Sequence, residues 1–248
     1  MQDGPRFRLP EKEGFIEQLS IDCVIFGYRD RSLHVLVPKL NFRGGLSTLP
    51  GGFVRQDESI DEAALNILKG RTGIEKIYLE QFQVFGDLER STGPFMRDIV
   101  RENAERHGEN AGEVAWLTRR FVSIGYYALV NIAKVVPVKS EIDDSIDWHP
   151  LEALPAMVMD HNKIVAEALK ALRNDLDRKL IGFNLLPERF TMQELRELYE
   201  TVYDRAFTRS NFQRRILDLG VLERLEKKFT GAANKAPYLY RFILPDQG

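Results

Sequence analysis

Gly52 to Ile74 read GFVRQDESIDEAALNILKGRTGI, and this stretch decides the fold. Ser59 can cap a helix because its hydroxyl accepts from a free amide of the first turn. Glu62, three residues on, completes a capping box. The helix runs through ALNILKGRT and stops at Gly73, which can take the left-handed conformation that closes a helix. Just before it, Leu46 to Val54 (LSTLPGGFV) reads as a strand broken by a glycine pair. Ile21 to Gly27 (IDCVIFG) and Leu33 to Val37 read as a hairpin joined by the polar turn Tyr28 to Ser32. Ile77 to Phe85 and Phe121 to Ile132 (FVSIGYYALVNI) are long strands. His161 to Leu176 has helical spacing at Ile164, Val165, Ala168, Leu169 and Leu172. Strand, helix and strand in this order predict an α/β or α+β sandwich.

The opening stretch resembles the Nudix box, G-x5-E-x7-R-E-U-x-E-E-x-G-U, where U is aliphatic. Gly52, Glu58, Leu68, Gly73 and Ile74 fall on its glycine, glutamate and aliphatic positions. The R-E-U-x-E-E core, however, reads Asn66, Ile67, Leu68, Lys69, Gly70 and Arg71. Magnesium takes oxygen ligands in octahedral geometry, and in a Nudix hydrolase it polarises the diphosphate and helps make the attacking hydroxide. Carboxylates three and four residues apart would meet on one helix face. Here that face offers an isoleucine, a glycine and a cation that repels a metal. The resemblance therefore implies a kept scaffold without catalytic residues, metal or cofactor. The alternative is a residual Mg-dependent hydrolase of a nucleoside diphosphate derivative, with Glu58, Glu62 and Glu80 as its metal ligands.

The 248 residues are 44% hydrophobic and 29% charged, the balance of an ordinary globular chain. No apolar run reaches the roughly 18 residues of a membrane span, and no signal peptide opens the chain. Cys23 is the lone cysteine, so an intrachain disulfide is excluded and a buried structural thiol is expected. A cytoplasmic location is the default. Residues 205–248 hold nine Lys or Arg against four acids, a net +5, leaving −7 on residues 1–204. An acidic body with a basic end suggests a polyanion partner for that end.

After Arg178 the character changes. IGFNLLPERF is an apolar connector, Thr191 caps a helix, and Glu194 completes a second capping box. Leu195, Leu198, Tyr199 and Val202 form its apolar stripe. A turn at Asp204 to Thr208 leads to a second helix, Ser210 to Leu219, ending at Gly220. Val221 to Phe229 and Tyr238 to Ile243 are strands joined by the loop Thr230 to Pro237. This is the winged helix-turn-helix plan, whose second helix enters the major groove. Arg209, Ser210, Asn211, Gln213, Arg214 and Arg215 offer hydrogen-bonding groups for base edges and phosphates. Lys227, Lys228 and Lys235 flank or occupy the wing. A dimerisation or protein-interaction module is the other reading of this end.

A degenerate Nudix box followed by a winged helix resembles the Nudix-related transcriptional regulators over roughly residues 18–244. FVSIGYYALVNI, IGFNLLPERFTMQELRELYE and the NFQRR helix carry the likeness, and GFNLLP followed by FT is similar to the sugar- or arabinose-responsive branch. The resemblance implies an α+β chain, a Nudix-type α/β/α sandwich followed by a winged helix-turn-helix domain. Its expected division is a flexible segment at 1–17, an effector domain at 18–180 and a DNA-binding domain at 181–248. It further implies a homodimer on operator DNA, with a sugar or an ADP-ribose-like nucleotide as effector. Thr92 to Arg120 departs from shorter members and reads as a surface insertion or a lid, with an exposed helix at Arg97 to Glu105. Asp22, an acid in an apolar strand, requires a partner when buried. With Lys39, Arg55, Glu80 and Asp87 it forms the candidate effector set. His149 and His161 lack a metal-ligand grouping and read as capping or surface residues.

Overall fold

The computed structural model describes residues 13–41, 45–75, 77–88, 90, 97–98, 101, 115–178, 184–228 and 236–243. Among the described residues, a seven-stranded sheet packed between two long α-helices makes the first module. Strand β1 (Phe15–Arg29) is its spine. Its C-terminal end pairs antiparallel with β2 (Ser32–Leu40), and its N-terminal half with β4 (Gly51–Arg55). Its other edge runs parallel to β6 (Val122–Val130), which pairs antiparallel with β5 (Tyr78–Phe85). The short β3 (Leu46–Ser47) and β7 (Asp143–Pro150) both pair with β2.

Alternation along β1 builds the two layers. Ile21, Cys23 and Ile25 face helix α1 (Ile60–Thr72) and pack with Ala63, Ala64 and Leu68. Val24 and Phe26 face helix α2 (His161–Arg178) and pack with Ile164, Val165, Ala168 and Leu172. The result is the expected α/β/α sandwich in an α+β chain. Cys23 is buried, and burial pushes its thiol pKa up, as suits a structural thiol. Ser59 and Glu62 form the expected capping box, and Gly73 closes α1 with φ 68°.

Several expectations need correction. Residues 15–17 are not a flexible tail: they belong to β1, and Phe15 meets Phe53 and Trp116. The hairpin turn is only Asp30–Arg31, both with positive φ. Strand β7 was not legible in DDSIDWHP because it is acidic and ends in proline. An edge strand paired only with β2 tolerates both features. The 92–120 segment lies largely outside the described residues, as does most of the helix expected at Arg97 to Glu105. Its end is not a surface insertion, since Trp116 and Leu117 are buried against Phe121.

The second module holds α3 (Met192–Tyr203), α4 (Arg209–Asp218) and a small sheet of β8 (Phe190–Thr191), β10 (Tyr238–Phe242) and β9 (Leu222–Lys227), in that order. Thr191 and Glu194 form the second capping box, and Asp204 ends α3 in the left-handed region. Leu172 and Leu176 of α2 belong to the same buried cluster as Leu195, Leu198, Tyr199 and Phe212. Among the described residues no helix is long and apolar enough to cross a membrane.

Candidate functional site

A cavity of about 220 Å³ opens where the glycine pair of β4 meets the start of α2. Its apolar wall includes Ile21, Leu49, Phe53, Leu117, Phe121 and Met159. Its polar wall is a linked network. Asp22 Oδ2 accepts from the Arg90 guanidinium and, at 2.6 Å, from Ser123 Oγ. Arg90 Nε lies 2.9 Å from both oxygens of Asp160, so one buried cation is shared by two carboxylates. His161 Nδ1 accepts from the Leu49 amide at 3.0 Å and stands 3.1 Å from Thr48 Oγ1. Burial, with Arg90 adding to it, holds the His161 imidazole below its ordinary pKa and keeps it neutral near pH 7.

The residues of the box do not fit a magnesium site. Arg71 lines the cavity and forms an ion pair with Asp143, whose side chain is fully buried. Ser140 donates to the same Asp143 oxygen from its amide at 2.7 Å and its hydroxyl at 2.9 Å. Glu58 accepts from the Arg55 amide at 3.0 Å and from Asn66 Nδ2 at 3.0 Å. Glu62 accepts from the Ser59 amide at 2.8 Å, the backbone half of the capping box. Glu80 accepts from the Tyr78 hydroxyl on β5. These three glutamates serve local structure at separate places. Among the described residues no three His, Cys, Asp or Glu side chains converge as metal ligands.

Of the five effector candidates, Asp22 lines the cavity and the other four do not. Arg55 is exposed and pairs with Asp57 at 3.0 Å. Asp87 is exposed and pairs with Lys163 at 2.6 Å. Lys39 is exposed near the end of β2, and Glu80 is half-buried on β5. His161 is neither a cap nor a surface residue. It is 2% exposed at the head of α2, pinned by the Leu49 amide.

Helix α4 buries Phe212 and Ile216, which leaves Arg209, Ser210, Asn211, Arg214 and Arg215 exposed and Gln213 half-buried. Phe212 meets Tyr199 edge-on at 5.2 Å and Phe207 at 5.7 Å, fixing α4 across α3. On the hairpin, Arg224 and Lys227 lie over the Tyr238 ring at 4.7 and 5.5 Å. Lys228 is tied to Glu194 at 3.0 Å rather than extended on the wing. Lys235 lies outside the described residues.

Residues 182–242 match the family model of the NrtR DNA-binding winged helix domain. The chain is also 28% identical over 235 residues to the ADPR responsive transcriptional repressor NtrR of Acinetobacter baylyi, covering 92% of this chain and 83% of that protein. The crystal structure of Shewanella oneidensis NrtR superposes with a TM-score of 0.68 at 24% identity, covering 91% and 94% of the two chains. A MutT/nudix family protein from Enterococcus faecalis superposes with a TM-score of 0.65 at 19% identity, covering 95% and 89%. The chain resembles the Nudix-related transcriptional regulators over nearly its whole length.

The partners of the cavity residues were hidden in the sequence. Asp22 announced that it needs a buried partner, but Arg90 lies 68 residues away in a polar stretch. Asp143 sits in an acid-rich run that reads as surface, and only the pairing of β7 with β2 brings it beneath Arg71. Ser123 and Thr48 carry no sequence signal of their own.

Proposed function

We propose that the regulator is an ADP-ribose-responsive transcriptional repressor, with the sandwich as sensor and the winged helix as DNA reader. The observation that carries this reading is the Arg71–Asp143 ion pair at the Nudix box, in a chain that also has a DNA-binding winged helix domain. A cleft with an ion-paired arginine in place of metal-binding carboxylates lacks the means to activate water, so it can bind a diphosphate compound without cleaving it. Its occupancy then reports concentration. ADP-ribose replaces the sugar expectation because the Acinetobacter relative is named for its response to ADPR.

The sensor runs from about residue 15, where β1 begins, to 180 and the reader from 181 to 248, and two copies read a two-fold operator. Effector bound with different affinity to the DNA-competent and incompetent forms shifts their populations. Operator must then alter effector affinity by the same factor. The decisive experiment is a mobility-shift titration on upstream or selected duplexes with and without ADP-ribose. Specific binding whose apparent affinity changes with ADP-ribose supports the proposal. Binding no tighter than to random duplex, or indifference to ADP-ribose, refutes it. The hydrolase alternative is disfavoured by the commitment of Glu58 and Glu62 to backbone amides, and a Mg-dependent turnover screen decides it.

A further inference from the structure

At the polar end of the cavity a donor and an acceptor face the same space. His161 Nδ1 accepts from the Leu49 amide, so the proton of the neutral ring sits on Nε2. That buried Nε2–H has no hydrogen-bond partner among the described residues. Asp22 Oδ1 lies 3.5 Å from it, beyond the usual length for an N–H donor to oxygen. Both residues line the cavity. Gly51 keeps this corner open: a Cβ there would stand 2.7 Å from the Ile21 carbonyl oxygen and 3.1 Å from Asp22 Oδ1.

A donor beside an anionic acceptor selects a group that both accepts and donates. A hydroxyl does so: its oxygen takes Nε2–H and its proton goes to Asp22 Oδ1. An ionised phosphate oxygen has no proton to give and would confront the Asp22 carboxylate at low dielectric. The surrounding charges point the same way. Arg90 is held by Asp22 and Asp160, and Arg71 by Asp143, so both cavity arginines already have carboxylate partners. Nothing at this end of the cavity is left to neutralise a diphosphate.

We infer that this corner reads the terminal, unphosphorylated ribose of ADP-ribose, with His161 and Asp22 sharing one of its hydroxyls and the diphosphate held toward the mouth. The inference rests on ADP-ribose being the effector.

The test is titration calorimetry on the full chain with ADP-ribose and with ADP, which lacks the terminal ribose. Wild-type protein binds ADP-ribose at least about tenfold more tightly than ADP, the discrimination of roughly one well-placed hydrogen bond. His161→Asn keeps an oxygen near the Nδ1 position for the Leu49 amide and removes the outer donor. In that variant ADP-ribose affinity falls to the level of ADP, while ADP affinity is unchanged. Equal wild-type affinity for the two compounds overturns the assignment, as does a variant that weakens both alike. Should the variant fail to fold, the wild-type comparison alone still decides. Wild-type protein that binds neither compound overturns the effector reading itself, and this assignment with it.

Discussion

Arg71 and Asp143 form a buried ion pair at the point where the box pattern would place a metal-binding carboxylate; their side chains are 11% and 0% exposed. Breaking a buried pair from one side leaves an uncompensated charge, which costs about 3–5 kcal/mol. Arg71→Ala should therefore lower the unfolding free energy measured by urea denaturation by that order, with the Ser140 bonds left to hold Asp143. Arg71→Glu should be at least as costly, because it sets two carboxylates together, and should not produce Mg-dependent turnover. A stable, hydrolytically active Arg71→Glu protein would contradict the account of the box.

Arg214 and Phe212 share α4 but do different work. Arg214 is exposed, so Arg214→Ala should leave the melting temperature within about 1 °C of wild type, as surface changes usually do. It should weaken operator binding by about 1–3 kcal/mol if the side chain reads a base. If the contact is to phosphate, the loss should be uniform across sequences, with a salt slope shallower by about 1. Phe212→Ala removes a ring packed on Tyr199 and Phe207 and should cost about 3–5 kcal/mol of stability. Paired mobility-shift and thermal melts separate the two effects.

His161 predicts a pH dependence. Its folded pKa is held below its ordinary value, first by burial. The unfolded chain therefore binds the proton more readily, and stability rises with pH across this window. The contribution is fully present above about pH 6.5 and is lost as pH falls below it. The limiting slope is about 1.4 kcal/mol per pH unit for one proton. Urea denaturation at several pH values between 5 and 8 should show this component in wild type and its removal in His161→Asn.

Arg173 joins the modules: its Nε donates to the Val202 carbonyl at 2.6 Å, and its own carbonyl accepts from the Tyr203 hydroxyl at 2.9 Å. Arg173→Ala leaves the Val202 carbonyl without that charged donor near the end of α3, a loss of about 1–3 kcal/mol. Calorimetry should show a lower melting temperature while the modules still melt together through their common core. Two resolved transitions in wild type would rule out that shared cooperativity.

The elements were legible where local rules act alone. Ser59 with Glu62, Thr191 with Glu194, and Gly73 each announced a helix boundary, and the apolar, β-branched run Ile21 to Gly27 announced a strand. The cavity was legible in outline only. Asp22 betrayed a buried charge, but its answer comes from Arg90, and the ring beside it from His161 at the head of another helix. Such pairings are long-range choices of the fold, so no spacing rule in a single sequence records them. Lys39, Arg55 and Asp87 share the polar character that makes a binding residue plausible, yet all three are exposed.

The apolar cluster that runs from Val24 and Phe26 through Leu172, Leu185 and Leu186 to Leu198, Tyr199 and Tyr240 has an engineering consequence. The reader is no detachable cassette. Grafted onto a foreign sensor, it would expose Leu195, Leu198 and Tyr199 unless the recipient supplied an equivalent of α2. Chimeras of this protein should therefore succeed only when the crossover lies before His161, so that the long helix travels with the residues it supports.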